Sequence, residues 1–226
     1  MAKVTRCWCR RHTNQGHGRI LGLQLCLPNL PWTYMRDGVA LLACRQATAS
    51  ALRVARPVIR NPSLQWVFHY ADVRPLTATS PESIGFLLTN AGFVVSGASL
   101  ATIGGDPVLG SIVELASLAS VGYHWSQCAL GGSSRPVVQL AMLIDYALAI
   151  PSLFLGLAYA ASLPAASLPE SALVYGGLAF LGLVAGWVFE SPRAYMALHG
   201  AWHVFAALAA CELSNAHSQA YGIVGN

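Results

Sequence analysis

Long apolar segments dominate the chain after residue 80 and are separated by short polar breaks. They lie at residues 83–103, 107–130, 136–161, 171–189 and 192–213. Each is long enough to cross a bilayer as a helix of about 20 residues. Pro107, Pro136 and Pro192 begin their segments, where the missing N–H of proline costs no helical hydrogen bond. The pattern predicts an all-α, polytopic transmembrane helix bundle of about five spans within residues 81–213.

Residues 1–80 have a different composition. They hold 11 of the 13 lysines and arginines of the chain and only two acids, Asp37 and Asp72. Their apolar runs are shorter than a membrane span, so no fold is predicted for this basic, Arg-rich N-terminal extension. Residues 35–60 are acid-poor and rich in Arg, Ala and Ser, which is typical of an organellar targeting segment. Three interpretations stay open: a cytosolic extension lying on lipid headgroups, a cleaved targeting segment, or a true start at Met35.

The distribution of positive charge predicts how the bundle is oriented. With five spans, the N-terminus and the loops that contain Arg135 and Arg193 lie on one side of the membrane. A short C-terminal tail, residues 214–226, lies on the other side. Because loops rich in Lys and Arg stay in the cytosol, we expect a cytosolic N-terminus and a C-terminus outside the cell or in a lumen. An organelle membrane is compatible with this arrangement.

The overall composition narrows the classes of partner. The chain is 55% hydrophobic and 10% charged, against about 25% charged residues in ordinary soluble domains. Neither a Gly-rich phosphate loop nor a surface of interleaved basic and aromatic residues is present in the bundle sequence, so no nucleic-acid partner is expected. We expect membrane lipids as partners, and membrane proteins as further candidates.

Four ionisable side chains recur at one depth of the predicted bundle. His124 lies six residues before the end of its segment, and Asp145 lies nine residues into the next. His199 and His203 lie seven and eleven residues into the last segment. Counted from the same face, all four are about 9–17 Å deep at ~1.5 Å per residue. Since ionisable groups inside a membrane are costly without partners, one shared site is predicted.

The local spacing of these residues is compatible with metal binding. Ser120 and His124 are four residues apart, as are His199 and His203, so each pair projects from one helix face. Three neutral imidazoles can hold Zn²⁺ and leave a fourth position for an activated water. Asp145 is the expected general base, or a partner that orients the water or a histidine. Ser120 is expected to donate a hydrogen bond to a developing oxyanion.

At these residues the chain resembles the CREST superfamily of membrane hydrolases, which includes alkaline ceramidases and the progestin and adiponectin receptors. The shared pattern is a Ser-x-x-x-His on one span, an Asp on the next and a His-x-x-x-His on the last. It is similar above all to the myomaker-like branch, over about residues 84–212. Further residues that carry the resemblance are Leu88-Thr89-Asn90, Glu114, Tyr123-His124 followed by Cys128, and Leu143-Ile144-Asp145-Tyr146.

The resemblance implies zinc ligation by the three histidines, with Asp145 and Ser120 supporting the attack of an activated water on a lipid amide. The family has seven spans, whereas about five are predicted here, with 54 positions from Asp145 to His199. Loss of an adjacent pair of spans between these two residues preserves the opposite directions of the histidine helices. The motif alone does not establish hydrolysis, because related sites can lose their activity.

Three functions therefore remain open. The leading hypothesis is a membrane-embedded, zinc-dependent hydrolase that acts on a lipid amide or ester from the cytosolic leaflet. An alternative is a non-enzymatic accessory or membrane-remodelling subunit of a membrane complex, which fits the shortened bundle and the long basic extension. A third is a haem-binding electron-transfer protein with His124 and either His199 or His203 as axial ligands. This last hypothesis leaves Asp145 and Ser120 without a role.

Overall fold

The computed structural model describes residues 38–62, 79–130, 135–189 and 191–223 of the chain. Over these residues the protein is all-α, and the predicted fold class is confirmed. The helices are α1 (Gly38–Ile59), α2 (Pro81–Leu88), α3 (Ala91–Thr102), α4 (Pro107–Leu130), α5 (Pro136–Ala161), α6 (Glu170–Val188) and α7 (Pro192–Tyr221). A short 3₁₀ turn, Ala165–Ser167, precedes α6.

Most of these helices have the length and composition of membrane spans. Within the described residues, four segments qualify: α2 and α3 taken together, α5, α6 and α7. Helix α4 is also long, with 24 residues, but it is more polar and buries Ser117, Ser120, His124 and Gln127. Neighbouring helices rather than lipid cover these polar groups. The described residues therefore have the features of an integral membrane protein with a polar helix inside its bundle.

The order in which the helices pack places α4 and α7 around the first span. Helix α5 packs on α4, α4 on α3, α3 on α7, and α7 on α6. Helix α2 contacts both α4 and α7. Side chains that α4 and α7 direct towards α2 can therefore meet.

Helices α3 and α4 approach each other closely at two glycines. A Cβ atom added to Gly97 would lie 2.9 Å from Gly110 O, and one added to Gly110 would lie 2.7 Å from Ala101 Cβ. Membrane helices associate largely through such close packing, because lipid tails already surround apolar side chains favourably. This approach holds α4 against the first span.

The first span is broken into two helices, whereas the sequence predicted one continuous segment. Thr89 and Asn90 lie at the break. The Thr89 hydroxyl donates to Phe86 O at 2.6 Å, and Asn90 Nδ2 donates to Leu87 O at 3.3 Å. The Ser117 hydroxyl of α4 donates to Asn90 O at 3.0 Å. The break has a local cause, since Thr and Asn side chains compete with the backbone for carbonyl groups.

The last helix is longer than the sequence indicated. The apolar segment was predicted to end at Leu213, with residues 214–226 as a tail, but α7 continues to Tyr221. Gly222 then ends the helix in the left-handed conformation, at a φ of 64°. Hydropathy misplaced this boundary because the last turns of α7 are polar and yet helical.

Contacts between α7 and the end of α5 account for the extra turns. His217 Nε2–H donates to Tyr159 O at 2.8 Å, and the two rings stack with centroids 3.6 Å apart. The Tyr221 hydroxyl donates to Ser162 O at 2.7 Å. These bonds fix the final turns of α7 against a neighbouring helix. We refer to them as the C-terminal lock.

Helix α1 lies in the N-terminal extension, for which no fold was predicted. Its Ala, Leu and Arg residues have high helix propensity, although its apolar runs are too short to cross a membrane. Ile59 packs against a cluster formed by Tyr123, Leu130, Val138 and Met142, where α4 ends and α5 begins. Residues 1–37 and 63–78, and with them the start of the predicted targeting segment at Met35, lie outside the described residues.

The close approach of α3 and α4 gives a stability prediction. Gly110→Ala is expected to lower the free energy of unfolding by about 1–3 kcal/mol, because the added methyl group overlaps α3. Gly122→Ala in the same helix is the matched control: nothing lies within 4 Å of a Cβ there, and we expect a change within about 0.5 kcal/mol. Thermal unfolding in detergent, followed by tryptophan fluorescence, measures both. Equal melting temperatures for the two variants would contradict the close approach.

Candidate metal centre

Three histidines from two helices meet inside the bundle. Helix α7 contributes His199 and His203, one turn apart, and α4 contributes His124. The ring centroids are 5.1 Å apart for His124–His199, 5.4 Å for His124–His203 and 4.8 Å for His199–His203. One nitrogen from each ring lies within 4.8 Å of the other two. The structure therefore brings together the three histidines that the sequence singled out as ligands.

The cluster is largely shielded from its surroundings. His124 is 0% exposed and His203 is 2% exposed, while His199 is half-buried. Burying a polar group costs free energy unless it finds a hydrogen-bond partner or a metal. The partners of each ring nitrogen therefore decide what the cluster can do.

Hydrogen bonds on two of the rings determine which nitrogen carries the proton. The Thr89 hydroxyl gives its own proton to Phe86 O, so at 2.9 Å it accepts from His203 Nδ1–H. His124 Nδ1 lies 3.2 Å from Gln127 Oε1, which can only accept, so Nδ1 again carries the proton. Each ring then presents the lone pair of Nε2. Histidines that bind metals are commonly oriented in this way by a partner on the far nitrogen.

Two nitrogens of the cluster have no partner. His124 Nε2 and His199 Nδ1 are buried and make no hydrogen bond within the described residues. An unsatisfied buried acceptor costs about 1–3 kcal/mol, which a bound metal ion removes. Nitrogens that share one tetrahedral zinc stand about 3.3–3.4 Å apart, so the three rings, whose nitrogens lie within 4.8 Å of one another, would draw closer together around an ion. The three histidines are therefore placed as a group that could hold a metal ion.

Aromatic side chains form one wall of the cluster. The Phe86 ring contacts all three imidazoles, with centroid distances of 4.6 Å to His124, 6.0 Å to His199 and 5.7 Å to His203. Tyr195 stacks on His199 at 5.1 Å. These rings keep water away from one side of the cluster. A charge placed there interacts strongly with its ligands, because the surroundings are weakly polarisable.

The two predicted catalytic side chains are buried but lie outside the metal-binding group. Ser120 is on the same face of α4 as His124, one turn earlier. Asp145 is on α5, one turn after Met142, which packs against Tyr123 of α4. Its Oδ1 atom is buried and has no hydrogen-bond partner in the described part of the chain. The group that can share an ion contains only histidines, so the roles of Asp145 and Ser120 remain predictions.

The side chains that orient the histidines were not assigned from the sequence. Gln127 follows His124 by three residues, a helical spacing that places both on one face and could have indicated the pairing. Thr89 and Phe86 come from α2 and the break after it, far away in sequence. No spacing joins them to α7, and only the packing of α2 between α4 and α7 shows their role.

Comparisons with known proteins found no match to this chain. No protein-family model, no curated protein and no solved structure matches the chain. The resemblance to the CREST superfamily therefore depends on the quoted residues, their order and their spacing. The case for a metal site depends on the geometry of the three histidines.

The hydrogen bond from His203 to Thr89 gives a prediction about metal affinity. Thr89→Val removes the acceptor of the Nδ1 proton and is expected to weaken metal binding roughly 10–100-fold. Thr102→Val is the matched control, because the Thr102 hydroxyl bonds only within its own helix, to Ala98 O. Titration with Co²⁺, followed by its visible absorption, measures the affinity of each variant. Equal affinities for Thr89→Val and Thr102→Val would show that Thr89 does not orient the ligand.

Proposed function

We propose that the protein is a membrane-embedded, zinc-dependent hydrolase-like enzyme that cleaves a lipid amide or ester. The observation that carries this proposal is the cluster of three histidines, in which the buried atoms His124 Nε2 and His199 Nδ1 have no hydrogen-bond partner among the described residues. Imidazole is a good ligand for Zn²⁺, and three protein ligands with one open position are typical of catalytic zinc. The cluster lies inside a bundle of apolar helices, which favours a substrate that is itself a lipid.

The proposal assigns a role to each of the site residues that were predicted from the sequence. A bound zinc ion would lower the pKa of its water to about 7 and polarise a carbonyl oxygen. In this proposal His124, His199 and His203 hold the ion. Asp145 takes the proton of the attacking water and returns it to the leaving amine or alcohol. Ser120 donates a hydrogen bond to the oxyanion that develops on the substrate.

The resemblance to the CREST superfamily supports the same chemistry. The order Ser-x-x-x-His, Asp and His-x-x-x-His is kept in this chain, and α4 and α7 bring all three histidines together. The smaller number of spans removes helices that a larger bundle would place between Asp145 and His199. The three histidines do not need them, because α4 and α7 supply all three and α2 packs against both helices.

A second candidate is a non-enzymatic accessory subunit in which the ion only stabilises the bundle. The position of Asp145 outside the metal-binding group favours it. The shortened bundle and the basic N-terminal extension fit it as well. Bound zinc without any turnover of lipid amides or esters would identify this second function.

Haem-based electron transfer is disfavoured by the packing of the cluster. A porphyrin between two axial histidines needs a flat slot that separates their rings. Here the rings contact one another edge-on, and Phe86 packs against all three. The described residues therefore leave no such slot between His124 and the histidines of α7.

We infer that the N-terminal side of the bundle faces the cytosol. Arg135 precedes α5 and Arg193 lies in the first turn of α7, and these two helices begin on the same side. The end of α1, with Arg56 in its last turn, packs at the start of α5 on that side through Ile59. Positive charge concentrated on one side of a bundle favours the cytosol.

This orientation can be tested by glycosylation mapping. In translation with ER microsomes, a glycosylation sequence inserted at Gly105, between α3 and α4, is expected to be glycosylated. The same insertion at Ser191, between α6 and α7, is expected to stay unmodified, because the positive side remains outside the microsome. A shift in gel mobility that glycosidase reverses reports the modification. The opposite pattern would overturn the proposed orientation.

The proposed function is tested by metal content and turnover together. Purified protein is expected to carry about one zinc per chain, and His199→Ala/His203→Ala is expected to carry almost none. His217→Ala is the matched control, because His217 is also buried but belongs to the C-terminal lock. Elemental mass spectrometry gives the zinc content. Hydrolysis of a lipid amide or ester by the zinc-loaded protein, abolished by a chelator, is the expected activity.

Two outcomes would contradict the proposal. If the folded wild-type protein binds no zinc, the cluster is a packed group of histidines and not a metal centre. If zinc is present but no member of an amide and ester panel is cleaved, the accessory function stands instead.

A further inference from the structure

A groove runs along the outside of the bundle between α2 and α7. Its volume is about 490 Å³, within the range of roughly 300–1,000 Å³ that is usual for small-molecule sites. Small residues, among them Gly85, Ala197 and Gly200, line much of it. Glu82 and Arg193 lie at one end, where both helices begin. The groove therefore has a charged end and an apolar length.

The length of the groove matches one leaflet of a bilayer. Its residues on α7 run from Arg193 to Phe205, which is about 18 Å at ~1.5 Å per residue. This is slightly more than half the ~30 Å thickness of the hydrocarbon core. Both walls belong to candidate membrane spans, and Ala197 and Val204 are exposed towards the outside of the bundle. An acyl chain of one leaflet fits this length and this apolar lining.

The charged end suits a phospholipid headgroup. Arg193 Nη2 lies 3.7 Å from Glu82 Oε1, and the side chains are 74% and 43% exposed. Such an exposed ion pair contributes at most about 1 kcal/mol, so it opens at little cost. A guanidinium group binds phosphate well, and a carboxylate attracts an ammonium group. The pair is thus complementary to the two charges of a zwitterionic phospholipid.

Phe86 and Thr89 belong both to the groove and to the histidine cluster. They line the groove, while Phe86 contacts the imidazoles and Thr89 bonds to His203. Gly200 keeps the groove deep at this point. A Cβ atom there would lie 3.2 Å from Thr89 Cγ2 and 3.5 Å from Phe86 Cδ2. The Phe86 ring is therefore the wall between the groove and the three histidines.

We propose that the groove binds an acyl chain of a zwitterionic phospholipid from the leaflet in which α2 and α7 begin, with Phe86 separating that chain from the histidines. Binding depends only on the shape and charge of the groove. Access of the bound lipid to the histidines rests on the proposed function. For that access the Phe86 side chain would have to turn away from the imidazoles that it now contacts.

The test is photolabelling of the full-length protein in nanodiscs. The probe is phosphatidylcholine with a photoactivatable diazirine at the middle of one acyl chain. Labelled peptides are mapped by mass spectrometry, and labels are expected on α2 and α7 along the groove. Ala197→Leu/Ala201→Leu fills the groove and is expected to lose these labels. Ala158→Leu/Ala161→Leu, at two exposed alanines of α5, is the matched control and is expected to keep them.

A second variant tests whether the Phe86 ring separates the groove from the three histidines. Phe86→Ala is expected to extend labelling to the part of α4 that carries His124, because the ring no longer separates the chain from the cluster. Labels on α2 and α7 of the wild type remain decisive if this variant does not fold. Labels spread evenly over all lipid-facing helices would overturn the proposal, as would undiminished labels in Ala197→Leu/Ala201→Leu. Crosslinks between copies of the chain through this face would also overturn it, because a second copy would then fill the groove.

Zinc content of the same samples separates this proposal from the proposed function. The groove variant Ala197→Leu/Ala201→Leu is expected to retain zinc, since neither alanine contributes a ligand. Groove labelling in a protein that binds no zinc would support the lipid site and contradict the proposed zinc-dependent hydrolase function. Zinc binding without groove labelling would keep the metal centre and overturn the lipid site.

Discussion

The need to satisfy imidazole nitrogens inside an apolar bundle explains most of the local structure. A buried polar atom without a partner is costly, and three histidines bring six nitrogens into one small volume. The break between α2 and α3 frees the Thr89 hydroxyl for His203, and Gln127 serves His124 from the same helix. His124 Nε2 and His199 Nδ1 stay without a hydrogen-bond partner among the described residues, and both rings belong to the group that could hold an ion. The break in the first span, the polar residues of α4 and the two histidines of α7 thus all contribute to one buried cluster of imidazoles and their hydrogen-bond partners.

Local signals made a large part of this bundle predictable. The starts of α4, α5 and α7 at Pro107, Pro136 and Pro192 agree with the sequence to the residue, because proline fits the first helical turn and marks it in any context. The equal depth of the three histidines made their meeting a reasonable expectation, and the packing of α2 against both α4 and α7 is what brings the two helices together around it.

Features that depend on tertiary contacts were not predictable in the same way. The hydropathy pattern predicted that the last helix ends at Leu213. It cannot show the contacts of His217 and Tyr221 that keep the polar final turns helical. The break at Thr89 depends on side-chain bonds within a segment whose average composition is that of a continuous span. Phe86 is one apolar residue among many, and only the order of helix packing places it beside the histidines.

Helix α7 has a consequence for how the two membrane surfaces communicate. Its 30 residues extend about 45 Å, well beyond the ~30 Å hydrocarbon core, as one uninterrupted rod. His199 and His203 are near one end of this rod, and the stack of His217 on Tyr159 is near the other. A rotation of α7 that draws the two ligands towards an ion also turns His217 against Tyr159. The histidine cluster and the C-terminal lock are thus joined across the membrane by one continuous helix.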